Sequence, residues 1–144
     1  IPEVNINHVN GSGMIEKFPD FCLKLFEYQI KEHNNHFNYI FETCDINPIQ
    51  LKKYFNIPNT IVIFLGYPNL TIEETVNNYK KYAEKDDYMI KKSEDEIISR
   101  AKKWNKKSKE IKKLCLQFNI KFIDVSYNRN DIFEKLIEEL FVDE

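Results

Sequence analysis

Apolar positions along the chain follow two rhythms. Phe18, Phe21, Cys22, Leu25, Phe26 and Ile30 recur every three or four residues, which predicts an amphipathic helix from Pro19 to about His33 with proline at its first position. Phe37 to Glu42 changes to a short apolar and aromatic run, the mark of a strand. Asn47 and Pro48 open the next helix as cap and first residue, carrying it to about Phe55. Thr60 to Leu65 is unbroken and β-branched. Continuity without alternation predicts a strand buried on both faces, as in a parallel sheet, and Gly66-Tyr67-Pro68 stops it.

The helical rhythm then returns. Thr71-x-x-Glu74 and Ser93-x-x-Glu96 are capping boxes. The first starts a helix to about Lys85. The second starts a long one to about Gln117, with a stripe of Ile97, Ala101, Trp104, Ser108, Ile111, Leu114 and Cys115. Ile120 to Asp124 is a further strand. Asn130 or Asp131 caps a last helix reaching Phe141. Strands separated by helices require crossover connections, so the pattern predicts one α/β domain, a three-layer α/β/α arrangement around a mainly parallel sheet.

Size and charge narrow the picture. A chain of 144 residues can bury a single substantial core. The net charge is −2, so no overall field draws nucleic acid or an anionic membrane, although a local basic patch is compatible with this. No apolar run reaches the roughly 18 residues that span a bilayer, and no signal peptide stands out. Cys22, Cys44 and Cys115 lie far apart, without metal-ligand or redox spacing. Buried, reduced thiols in a cytoplasmic protein are the expectation. His33 and His36 read as a solvated helix end. Gly11-Ser12-Gly13 reads as a turn, because a phosphate-cradling loop needs Gly-x-x-x-x-Gly-Lys-Ser/Thr.

In a parallel sheet all the strands deliver their carboxyl ends to one edge, where ligands bind. That edge would gather Glu42 with Asp45, Gly66 with Tyr67, and Asp124 with Ser126, Asn128 and Arg129. A carboxylate there suits Mg²⁺ or general-base work toward a hydroxyl. Glu42 and Asp45 are therefore the catalytic candidates, with Glu42 also the metal candidate. Arg129 could stack on a base or pair with a phosphate. Residues 80–100 read as a lid-like flap whose cations, Lys91, Lys92 and Arg100, could close over phosphates, although a solvated face explains lysines equally well.

These segments carry a resemblance. Tyr39-Ile-Phe-Glu-Thr-Cys-Asp-Ile-Asn-Pro, Ile61-Val-Ile-Phe-Leu-Gly-Tyr-Pro, Asp87-Tyr88 before Ser93-x-x-Glu96, Ser108-Lys-Glu-Ile with Cys115, and Phe122-Ile-Asp-Val-Ser-Tyr-Asn-Arg129 look like the latter part of P-loop kinase-like proteins, the small nucleotide and metabolite kinases. The resemblance spans roughly residues 15–142, and order and spacing carry it more than any single motif. It implies ATP and Mg²⁺ as cofactors and a small-molecule or nucleotide substrate. Glu42 would order Mg²⁺ or activate the acceptor. Residues 80–100 would be the lid, and Ser126, Asn128 and Arg129 the loop beside adenine. The acceptor pocket would draw on the region from Met14 to Phe26.

The phosphate-binding loop of that family and its strand have no counterpart here. The chain, which begins at Ile1, is therefore expected to be part of a longer kinase-like protein and inactive in phosphoryl transfer by itself. Exposed edges of strands 37–42 and 60–65 would favour a homodimer. Two other readings stand beside the kinase: a non-catalytic α/β binding or interaction module, and a nucleotide-binding ATPase. No nucleic-acid or membrane partner is indicated at this level.

Overall fold

A computed structural model of the chain describes residues 20–28, 40–44, 46–58, 60–85 and 87–141. They belong to two compact units, Ile1–Tyr54 and Phe55–Glu144.

In the first unit, residues 20–28 form helix α1. Phe26 sits at its centre of contacts, 5.6 Å from the Phe41 ring and 5.1 Å from Tyr54 at a near-perpendicular angle. Such edge-on geometry suits the positive rim and negative face of aromatic rings. Cys22, Ile46 and Tyr54 are buried here. Helix α2 (Pro48–Leu51) starts as the sequence predicts. Asn47 Oδ1 accepts from the Gln50 amide at 3.1 Å, and Gln50 Oε1 accepts from the Asn47 amide at 2.9 Å. It tightens into a 3₁₀ turn at Lys52–Tyr54, so the regular α-helix is shorter than its pattern suggested. Glu27 accepts from Lys53 Nζ at 2.6 Å and from the Tyr54 hydroxyl.

The strand predicted at 37–42 is only partly open to inspection. Residues 37–39 lie outside the described residues, and 40–42 are not in a strand. Ile40 is 90% exposed. A strand needs a neighbour to accept its ladder bonds, and this segment has none among the described residues.

The second unit contains the sheet. Strands β1 (Ile63–Gly66) and β2 (Lys121–Asp124) pair in parallel, with Ile63 opposite Lys121 and Gly66 opposite Asp124. Between them run α3 (Ile72–Tyr82), a 3₁₀ turn at Tyr88–Lys91 and α4 (Glu94–Phe118); α5 (Arg129–Phe141) follows β2. Both predicted capping boxes form, Thr71 with Glu74 and Ser93 with Glu96. Helix α4 ends at Asn119 in the left-handed region (φ 53°), and the Ile120 amide reaches back to the Cys115 carbonyl at 2.9 Å. That is how an asparagine closes a helix and turns the chain into a strand.

Helices α3 and α4 pack through Val76, Ile97 and Ala101, joined by Ile72, Tyr79, Ile98 and Trp104. The Tyr79 and Trp104 rings lie 4.9 Å apart. Further along, α4 presses on the sheet at Gly66. A Cβ on Gly66 would fall onto Ser108 Oγ and within 2.8 Å of Phe122 Cζ, so glycine is what lets helix and strand approach this closely.

Two further expectations are corrected. Burial of β1 on both faces does not hold: successive side chains alternate sides, the Gly66 side meets α4, and Leu65 on the other is 49% exposed. The α/β character and parallel pairing stand, in a sheet of two strands among the described residues. Helix α5 also starts earlier than Asn130, because the Ile132 amide already bonds the Asn128 carbonyl at 3.1 Å. Arg129 is therefore its first residue rather than part of a loop. No helix among the described residues is long and apolar enough to cross a membrane.

Candidate functional site at the carboxyl edge of the sheet

Asp124 ends β2 beside Gly66, and the loops leaving both strands converge on its carboxylate. Oδ1 accepts from the Ser126 hydroxyl at 2.6 Å and the Ser126 amide at 3.1 Å. Oδ2 accepts from Asn69 Nδ2 at 2.7 Å and from Lys112 Nζ, on α4, at 3.2 Å. Ser126 Oγ also accepts from the Asn69 amide at 3.1 Å. One acid therefore ties the loop after β1, the loop after β2 and helix α4 into a single frame. Partial burial alone would raise the Asp124 pKa, but the Ser126 and Lys112 bonds outweigh it, and the carboxyl is held below its ordinary value.

Tyr127 extends the frame outward. Its hydroxyl donates to the Asn69 carbonyl at 3.3 Å and reaches both Glu74 oxygens at 3.4 Å. Desolvation and then the Glu74 charge push the Tyr127 phenol up. The Thr71 amide and hydroxyl hold the Glu74 carboxyl down. Asn128 adopts φ 53°, a left-handed conformation that asparagine tolerates better than most residues. Arg129 lies with its guanidinium 5.2 Å from the Phe133 ring centre, in the range of a cation–π contact.

Beneath this edge lies a largely buried polar joint. Asn105 Nδ2 donates to the Leu70 carbonyl at 2.7 Å, and Thr75 Oγ1 donates to Asn105 Oδ1 at 3.0 Å. Ser108 Oγ accepts from the Tyr67 amide at 2.8 Å. These bonds fix the loop from Gly66 to Thr71, and hence the position of Asn69 against Asp124.

The residues predicted as a site are only partly brought together. Ser126, Asn128 and Arg129 do share the edge with Asp124. Glu42 is exposed in the other unit, and Asp45 lies outside the described residues. Lys91 is exposed, and Lys92 pairs with Glu96 at 3.2 Å. Arg100 lines a shallow cleft of about 320 Å³ with Ser99, Lys103 and Trp104. The expected flap is stitched at its base by Lys80 to Glu94 at 2.6 Å.

Among the described residues no three His, Cys, Asp or Glu side chains group as metal ligands. Asp124 suits a cation poorly, because Lys112 already occupies the approach to Oδ2. The described residues thus do not assemble a Mg²⁺ site. Chemically, Asp124 is a structural anion that shapes the edge, while Tyr127, Asn128 and Arg129 are its exposed groups.

Asn69, Glu74, Asn105, Lys112 and Tyr127 were not picked out as site-forming from sequence. A signal existed for Ser108, a hydroxyl inside an apolar helical stripe. For Lys112 there was none, since a lysine that meets an acid twelve residues later across a helix–strand turn looks like any other surface lysine.

No family model, curated protein or solved structure matches the chain significantly.

Proposed function

We propose that this chain supplies the carboxyl-edge part of a nucleotide-binding α/β/α fold of P-loop kinase-like type, acting in ATP-dependent phosphoryl transfer to a small molecule or nucleotide. The observation that carries the reading is the parallel pair β1–β2, whose two carboxyl-end loops are clamped together at Asp124. In open α/β sheets that crevice is where ligands sit. Tyr127 and Arg129, both exposed at this edge, would meet the base or phosphate of a nucleotide. Arginine's planar fork suits a phosphate better than lysine's point charge. ATP with Mg²⁺ would need a phosphate-binding loop beyond the residues described, so binding rather than turnover is the property to look for here. The outer edges of β1 and β2 have no partner among the described residues. Strand addition by a second copy is thus the mode of self-association to test.

A titration of the ¹⁵N-labelled chain with AMP, and with ATP plus Mg²⁺, tests the reading. Shift changes should concentrate at residues 66–70 and 124–132, with a Kd on the order of 1 mM or tighter. Arg129→Ala should weaken binding by about tenfold. No change at these positions up to saturating nucleotide sinks the proposal.

A second reading has its own support. The Asp124 carboxylate is already engaged by three residues, which fits a non-catalytic binding or interaction module. It predicts that nucleotide leaves the edge unperturbed while the fold remains intact.

A further inference from the structure

Charge is spread unevenly along α4. Its first turn carries Glu94, Asp95 and Glu96, which suits the positive end of the helix dipole. From Lys102 to Lys113 it then carries seven lysines and a single acid, Glu110, in a chain of net charge −2. The dipole does not explain these lysines: it favours cations in the last turn, and the last turn of α4 has no basic residue. Ion pairing explains few of them. Lys106 stands 3.9 Å from Glu110 and Lys112 stands 3.2 Å from Asp124. Lys102, Lys109 and Lys113 enter no salt bridge among the described residues.

The geometry sharpens the pattern. Lys102, Lys106, Lys109 and Lys113 follow i, i+4, i+7, i+11, so they fall within about 60° of arc and run along about 17 Å of helix. All four are exposed. Three of them line a groove of about 440 Å³ with Thr71 and Ile72 at the start of α3. Like charges at this spacing repel one another. A helix that keeps such a row breaks a local rule that alternating signs would have satisfied.

We infer that this lysine row is a docking surface for the phosphate backbone of duplex nucleic acid, contacted without reading base sequence. The inference stands apart from the nucleotide site at the sheet edge. A duplex carries one negative charge per about 1.7 Å of axis with both strands counted, so about 17 Å of duplex carries roughly ten phosphates, and a straight row of lysines meets those on its own side. Lysine meets a phosphate as a point charge and positions a protein without specifying bases. A membrane surface fits less well, since it needs an apolar face to insert, and the row is flanked by Asn105 and Glu110 with Leu116 at its end. Single strands are held on aromatic platforms, and the chain's one tryptophan, Trp104, is packed against Tyr79.

Fluorescence anisotropy with a labelled duplex of about 20 base pairs, titrated between about 50 and 200 mM salt, tests this. Four phosphate contacts predict a slope of log K against log salt near −3.6, about a hundredfold loss of affinity over that range. The variant K102Q/K106Q/K109Q/K113Q should abolish binding, because glutamine keeps helix propensity while removing charge. The control K24Q/K81Q/K85Q/K135Q, equal in net charge, should bind as the parent does. K109Q alone should make the slope shallower by about 0.9. Circular dichroism checks that each variant is folded. No binding by the parent at low salt overturns the inference. So does equal loss in both quadruple variants, and so does equal or tighter binding to anionic phospholipid vesicles or polyglutamate.

Discussion

Two polar networks in the second unit are built from the same small residues and behave as opposites. The joint of Thr75, Asn105 and the Leu70 carbonyl lies between α3 and α4, with Thr75 2% and Asn105 4% exposed. The clamp of Asp124, Ser126 and Asn69 lies at the sheet edge, in reach of solvent. In the first, the Thr75 and Asn105 side chains find their partners within the fold, because little water is at hand to replace a lost bond. In the second, water can substitute, so the bonds there shape a surface more than they hold the chain together. Functional contact belongs to the second kind of network, and stability to the first. The comparison can be broken by measuring each network's worth.

The largest effect is expected at Asn105. Asn105→Ala removes the side-chain donor to the Leu70 carbonyl, leaves the Thr75 hydroxyl with the Thr71 carbonyl alone at 2.8 Å and opens a small void, at a cost of about 1–3 kcal/mol. Chemical denaturation should show this as a clear fall in midpoint without a change in slope. A loss under about 0.5 kcal/mol would mean that water reaches the joint and that the contrast with the edge is wrong.

Gly66 links the two networks, since Ser108 holds the Tyr67 amide directly after it. Gly66→Ala drives a methyl onto Ser108 Oγ and close to Phe122. Overpacking of this kind destabilises by about 1–3 kcal/mol. It should also disturb the edge, read as amide shifts at Asn69 and Ser126. A stable variant with an unmoved edge would show that α4 can withdraw freely from the sheet.

At the edge itself the expected effects are smaller and depend on pH. Asp124→Asn removes the Lys112 ion pair and weakens the Ser126 bonds, for a loss of about 1 kcal/mol at neutral pH. The folded carboxyl titrates below its unfolded value. Its contribution is therefore complete above the unfolded pKa, about 4, and is lost as pH falls through the lower folded value. Stability followed from pH 6 down to pH 2 (on the order of this range) should fall less steeply for Asp124→Asn than for the parent. Identical slopes would remove Asp124 from the ionised clamp.

Much of this was legible in the chain, for identifiable reasons. Thr71 with Glu74 and Ser93 with Glu96 are local signals, complete within four residues, and the helices begin where they say. Asn119 is a local stop for α4. The parallel direction of Ile63–Gly66 and Lys121–Asp124 was legible because helices must cross between the strands, while their being neighbours was not. What the sequence left open depends on distant neighbours. Thr60 to Leu65 reads as buried on both faces, yet Leu65 is half exposed. Cys44 reads as buried like Cys22 and Cys115, yet is exposed. The Asp124 clamp joins residues 12, 55 and 2 positions away, and of these just the last lies within reach of a local motif.

The smallest expected effect is also the most discriminating. Tyr127 is 53% exposed, and its hydroxyl bonds to Asn69 and Glu74 are long. If the edge is a surface rather than a support, Tyr127→Phe should leave the denaturation midpoint unchanged, because water takes over both partners. It should still alter the edge as a ligand would meet it, removing a hydroxyl that Glu74 and the Asn69 carbonyl now orient. Nucleotide binding weakened at unchanged stability would separate recognition from folding at one oxygen atom. A clear loss of stability would instead place Tyr127 with Asn105 among the residues that hold the fold together, and the nucleotide reading of the edge would then rest on Asn128 and Arg129.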